Sequence, residues 1–513
     1  MPQNALQQVV CERRRYPGLV CNVCRQSFCA STVGLLLCIA SLQGSLPLSL
    51  TRYAGNRGQS GSVFPRWSSV PGTPDVFPPV ESEVEIPQEE SHGSILSNSA
   101  LVAGNMIGAG VLALPSVTGA PGFVLSSTAM VVVWGYCLCS GMLVAECAGQ
   151  GRSSVQEMAE ASVGKTAGNF MCAAFLMSNY LLMVAYICQG ASSLPLLWPE
   201  FCGPVFTSCI KDFHLAPLLF TGLVGSVSLW GPARFVEAAN TALVGLIAIS
   251  FGGLVATGLP RVDVTLLGLT PDASTLPAML PVALCALTFQ NVVPAVSKNL
   301  NGDARKIKAS LAIGSGLPLM TYILWNAVVL GSTGSLDPNS AVEMVSPLDA
   351  LAATSPALAS LVSVFSISAI ITSFWGAAFS LMIELTHLVD ALMSERRIGI
   401  LDTIGQFPMA DDARSIDEVA RHDQNVKLCA TGLVLVPPTV VSMACPDSFL
   451  TALDYAGIYV DPFLYGLAPA CMAYYMRSGD EHRAQLPGGT AGLAFVAVVT
   501  SGYIAWQTFL RMG

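Results

Sequence analysis

Charge is scarce in this chain. Only 11% of its 513 residues are Asp, Glu, Lys or Arg, whereas a soluble protein carries about a quarter. More than half, 52%, is hydrophobic, and the mean hydropathy is +0.59. That balance excludes a soluble domain and leaves a polytopic membrane protein. The formal net charge of −9 comes largely from loops and one acidic stretch, so it says little about partners. Basic residues are not clustered with aromatics, which argues against nucleic acid binding. Histidine is limited to five residues, and only His387 comes near a His/Asp/Glu group inside an apolar run, so an intramembrane enzyme lacks its constellation. The chain has sixteen Cys, yet Cys21 and Cys24 have no second pair at zinc-ligand spacing. No metal site and no cofactor motif are expected. Cys137, Cys139, Cys172, Cys188 and Cys285 lie in apolar runs and read as small core residues. Cys202 and Cys209 share one loop, where a bridge or two thiols are both open.

Acids are missing altogether between Arg13 and Pro74, a stretch with seven Arg and frequent Ser and Gly. Such composition reads as an organelle-targeting presequence over 1–74. Inside it, the apolar run Ser31–Leu42 is too short for a confident span and fits a signal-peptide core. A signal-like core followed by basic, hydroxylated Thr51–Pro74 resembles the bipartite presequences of algae with secondary plastids. A plain transit peptide and a disordered tail are the alternatives. Asp75–Glu90 carries six acids and several Pro, so residues 75–92 read as a solvated acidic linker. No Asn-x-Ser/Thr acceptor occurs in the chain, which agrees with a non-secreted destination. The expected location is a plastid envelope membrane.

Apolar runs long enough to cross a bilayer fall near 95–119, 122–146, 167–195, 215–231, 235–258, 275–297, 308–332, 356–388, 427–445, 449–476 and 489–510. The fourth is the weakest, ended by Trp230-Gly231-Pro232. If the first span starts inside, inner segments hold fourteen Lys and Arg and outer segments three, Lys211, Arg261 and Arg511. A wrong count would scramble this asymmetry, so the positive-inside rule supports eleven transmembrane helices.

Leu101–Pro115, LVAGNMIGAGVLALP, has no charge in fifteen residues but carries Gly104, Gly108, Gly110, Asn105 and Pro115. Glycine tolerates backbone conformations that other residues resist, and Pro removes a donor. A helix in lipid must satisfy its own backbone, so a break there is costly unless the freed groups face a cavity and bind something. Close packing through the Gly104/Gly108 GxxxG is the competing reading. A dinucleotide loop lacks its βαβ pattern and downstream acid. The sixth run, Leu280–Leu300, turns polar at Thr288, Phe289, Gln290 and Asn291 before Pro294. Breaks in runs one and six are what a five-plus-five inverted repeat predicts, with repeats over 93–258 and 275–476 and an extra helix at 489–510. A channel would instead show charged rings, which are not evident.

Several stretches, in order, carry a resemblance. They are GSILSNSALVAGNMIGAGVLALP (Gly93–Pro115), AYICQG (Ala185–Gly190), the Phe289–Pro294 break, ARKIKASLAIGSGLPLMTYILWNAVVLG (Ala304–Gly331), TSFWG (Thr372–Gly376) and YAGIY (Tyr455–Tyr459). Residues 93–510 resemble the tryptophan/tyrosine permeases, the hydroxy/aromatic amino acid permease family with its plant and algal plastid members. The resemblance implies an all-α, leucine-transporter-like fold and proton-coupled symport of an aromatic amino acid. One departure stands out: many members have Phe-His where this chain has Phe289-Gln290.

A zwitterionic substrate suits a broken-helix site. Its carboxylate is expected at the amides of Gly108, Ala109 and Gly110, at a half-helix positive end. Its ammonium needs acceptors such as Asn105 and freed carbonyls, and Tyr186 and Phe289 are candidate walls of an aromatic slot, with Gln290 as a polar partner. For the coupling ion, a proton or sodium, the candidates are Glu146, Thr372 and Ser373. Thr372 and Ser373 would offer hydroxyl oxygens to sodium, or bond their own helix. The fifth span has no Lys to stand in for sodium.

Overall fold

The computed structural model describes residues 94–149, 151–152, 154–197, 215–268, 272–333, 351, 355–404, 412–477, 486 and 488–512. The presequence, the acidic linker and the Cys202/Cys209 loop lie outside the described residues. Within them every long regular element is a helix, as expected where lipid leaves no other partner for the backbone. In chain order these are α1 (Ile95–Met106), α2 (Gly110–Thr118), α3 (Phe123–Ala148), α4 (Val155–Ser162), α5 (Lys165–Leu197), α6 (Ala216–Trp230) and α7 (Ala233–Gly258). Then follow α8 (Leu276–Leu287), α9 (Val293–Asn299), α10 (Ala304–Thr333), α11 (Pro356–Ile404), α12 (Asp412–Ala444), α13 (Phe449–Tyr455), α14 (Ala468–Arg477) and α15 (Gly489–Met512).

Among the described residues, eight helical runs are long and apolar enough to cross a membrane, with α8 and α9 counted as one run (Ala273–Asn299), and α1 with α2 makes a ninth. The two exceptions to the eleven runs have local causes. α6 is short and contains a π turn at Thr221–Gly225. The run from α13 to α14 is interrupted by π turns at Ala456–Val460 and Phe463–Leu467.

The packing puts the two broken runs at the centre. α2 lies against α8, and α8 also against α3; α1 lies along α10. α5 packs on α11 and α13, and α7 packs on α11. α12 touches both α5 and α11, and α6 sits on α5. Trp325, Tyr322, Phe289, Phe365 and Phe374 are fully buried in this core. The outer faces of α7 and α15 carry exposed apolar side chains such as Ile249 and Phe509, the surface that lipid favours.

Turn chemistry is local and legible. Between α9 and α10, Asn301 and Gly302 take positive φ (50° and 69°), a conformation open to Asn and Gly. Asp303 then caps α10, accepting from the amides of Arg305 (3.0 Å) and Lys306 (3.3 Å). The bond from Lys306, with that from Arg305 and the two nearby charges, holds the Asp303 carboxyl below its ordinary value.

Candidate functional site

The first broken run opens between α1 and α2, which meet at 59°. Helical bonding ends with Ile107 N–H donating to Ala103 O (3.0 Å), and Ile107 itself is extended (φ −73°, ψ 94°). Ala109 N–H donates to Ser373 Oγ of α11 at 2.8 Å. A Cβ on Gly108 would strike that same hydroxyl, and one on Gly110 would sit 3.3 Å from Cα and Cβ of Ala286 in α8. Neither glycine has positive φ. Contrary to the expectation from conformational latitude, these glycines serve here to admit close neighbours. Gly104 has open space around it, so no tight GxxxG contact forms there.

Two tyrosines converge on this opening. The Tyr186 hydroxyl of α5 lies beside Ser373. Tyr322 of α10 donates to Met106 O at 2.5 Å, with Ala286 O 3.3 Å away as a second acceptor. One phenol thus serves carbonyls beside both breaks. Tyr322 was not singled out from sequence, because a lone Tyr in an apolar helix carries no signal of what it reaches. Tyr322→Phe is expected to leave the Met106 carbonyl without its donor and to cost about 1–3 kcal/mol. Thermal melting and substrate affinity of the variant would check this, and unchanged values of both would refute it.

The second break runs from the end of α8. Thr288 is extended, and Gln290–Val292 form a 3-10 turn before α9, where Pro294 sits at the first positions and lacks no bond. Gln290 is 1% exposed. Its Oε1 accepts from Phe289 N–H (2.8 Å), and its Nε2 donates to Cys137 O (3.2 Å) and Ser140 Oγ (3.3 Å) of α3. Phe289 is fully buried, its ring against the bare Cα of Gly141. Both side chains are thus turned to α3, where they hold the break open. Asn291, in contrast, exchanges two hydrogen bonds with Asn105, at 2.9 and 3.0 Å. Paired amides clip α1 to the turn of the second break.

The coupling candidates separate. Thr372 Oγ1 donates to Ser368 O (3.0 Å) and Ala369 O (3.1 Å) of its own helix, whereas Ser373 faces the first break. Glu146 is buried and gripped by Arg477 of α14, with Nε to Oε1 2.5 Å and Nη2 to Oε2 2.7 Å. Asp454 takes both bonds from Arg511 Nη2 at 2.7 Å. Asp390 of α11 lies 2.9 Å from His422 Nε2 of α12. A cavity of about 530 Å³ lies elsewhere, lined by Phe220, Phe235, Leu246, Ile370 and Trp375. Its walls are apolar but for Ser193, whose hydroxyl donates to Gln189 O, so they offer a zwitterion no charged partner.

Interrupted helices facing one another inside a bundle of apolar spans define a multi-pass membrane protein of helical class. The chain shares its fold with MhsT, whose crystal structure is in complex with L-phenylalanine: TM-score 0.51, 14% identity, covering 81% of this chain and 98% of that one. The chain belongs to the tryptophan/tyrosine permease family, whose profile matches residues 91–507. It is 27% identical over 423 residues to the tyrosine-specific transport system 1 of Haemophilus influenzae, covering 79% of this chain and 94% of the relative. It is also 27% identical over 400 residues to a tryptophan-specific transport protein of Pseudomonas aeruginosa, covering 74% and 86%. This is a family of permeases, not of enzymes.

Proposed function

We propose that this protein is a secondary transporter of aromatic amino acids, tyrosine or tryptophan, working by proton-coupled symport and alternating access. The observation that carries the reading is the first break. There the Ala109 amide, at the positive end of α2, turns out of the helix to the Ser373 hydroxyl beside Tyr186, while the next amides, of Val111 and Leu112, turn back to Gly108 O and Ala109 O. A substrate carboxylate fits amides at a half-helix positive end, and the Asn105–Asn291 pair lies on the inner side of it. Phe289 and Gln290 act from behind, fixing the shape of the second break.

The reading includes eleven spans, with α6 and the π-interrupted run counted as two of them. It also includes a five-plus-five inverted repeat. Under that repeat each span exchanges with the one five further on, so contacts should come in exchanged pairs. Spans six and two (α8 on α3) then answer to spans one and seven (α1 on α10). Spans three and ten (α5 on α13) answer to eight and five (α11 on α7). Spans three and four (α6 on α5) answer to eight and nine (α12 on α11). This pattern supports the repeat.

The test is uptake of labelled tyrosine and tryptophan into proteoliposomes under imposed proton or sodium gradients. Accumulation driven by an inward proton gradient alone is expected. Accumulation only with sodium would replace the coupling half of the reading, and no saturable uptake of either amino acid would overturn it. The reading places the protein in a plastid envelope membrane. Residues 1–90 fused to a fluorescent reporter should carry it to the plastid, and delivery to mitochondria or the plasma membrane would refute that.

A further inference from the structure

One buried carboxyl group has no role in the site above. Among the described residues, only Glu146 and Asp461 are acids in the buried class. Glu146 has Arg477. Asp461 is 3% exposed and sits between the π turns Ala456–Val460 and Phe463–Leu467. Such turns recur at functional positions because they re-aim backbone and side chains within a helix. The first is held from outside: Tyr503 Oη donates to Gly457 O at 3.1 Å, and a Cβ on Gly457 would run into the Pro281 backbone of α8.

Ser178 Oγ of α5 donates to Asp461 Oδ1 at 2.7 Å, and the Cys285 thiol of α8 lies against the same carboxyl. The other titratable groups facing it are Cys137 of α3, Tyr186 of α5, Tyr465 on its own run and Tyr503 of α15. None is a base, and among the described residues no Lys, Arg or His pairs with Asp461. A carboxylate at this depth without a counter-charge is costly, and taking up a proton removes that cost. One hydroxyl and one thiol fall short of the oxygen shell that sodium needs. Tyr186 stands between the carboxyl and the first break: it lies within electrostatic reach of Asp461 and beside Ser373, the acceptor for Ala109 N–H.

We propose that Asp461 is the proton-loading site of the transport cycle. One proton from the outer solution binds an Asp461 oxygen as substrate binds, so that the occluded state closes over a neutral acid. The same proton leaves to the inner solution after substrate release. This rests on the proposed symport. The site is wetted in the open states and dry in the closed one, so closure is gated by protonation.

The full chain in proteoliposomes, with the membrane potential clamped, tests it. One coupled proton under a one-unit pH gradient concentrates substrate about tenfold. Asp461→Asn, which imitates the neutral acid, should reduce that ratio to about one and flatten the pH profile, while substrate counterflow without a gradient persists. Unchanged proton-driven accumulation in Asp461→Asn overturns the proposal. If counterflow is lost as well, Asp461→Glu decides: restored accumulation with a displaced pH profile supports the proposal, and no restoration overturns it. Wild-type uptake driven by sodium alone overturns it while leaving transport intact. Absence of wild-type uptake removes the transport reading itself.

Discussion

Gly108→Val is expected to abolish uptake while the protein still inserts and melts cooperatively. The new side chain would meet the Ser373 hydroxyl, so α11 must retreat or the Ala109–Ser373 bond must break. Leaving those groups unpaired in a dry site costs about 1–3 kcal/mol, roughly ten- to a hundredfold in affinity. The β-branch adds further crowding. Gly108→Ala should show a smaller loss of the same kind, and Ser373→Gly in that background should recover part of the substrate binding by vacating the space. The measurements are membrane abundance, thermal melting and binding of labelled substrate. Normal substrate binding by Gly108→Val would refute the placement of the site at the break.

Glu146→Ala is expected to destabilise the protein by about 3–5 kcal/mol, because it leaves the Arg477 guanidinium, 12% exposed, without its carboxylate. Replacing both partners, Glu146→Leu with Arg477→Leu, should restore most of that stability, since a well-packed apolar pair avoids desolvating two charges. Denaturation of single and double variants in detergent checks the cycle. The double variant also separates two roles for Glu146. If the ion pair is a clamp between α3 and α14, the refolded double variant keeps proton-driven accumulation. If Glu146 carries the transported proton, accumulation is lost although the fold is intact.

Composition and pattern alone determined the class of this protein. Scarce charge and long apolar runs dictate helices across lipid, because no other open structure satisfies the backbone there. The two interruptions were legible for the same reason: Gly108, Gly110 and the polar run Thr288–Asn291 are out of place in a continuous apolar helix, and both breaks fall where they were expected. Ser373 and Tyr186 were legible only as members of motifs; the fold brings them to one point. What the tertiary structure decided was direction. Gln290 and Phe289 stand at the break in sequence, yet their side chains turn to α3, because Gly141 and the Cys137 carbonyl receive them there. Asn105 is paired to Asn291, 186 residues away. Glu146 and Asp461 look alike in sequence, as acids set in apolar runs. Folding gives one an arginine and the other a hydroxyl and a thiol. A side chain's partner across the bundle depends on how helices distant in sequence pack, and local periodicity carries no record of that.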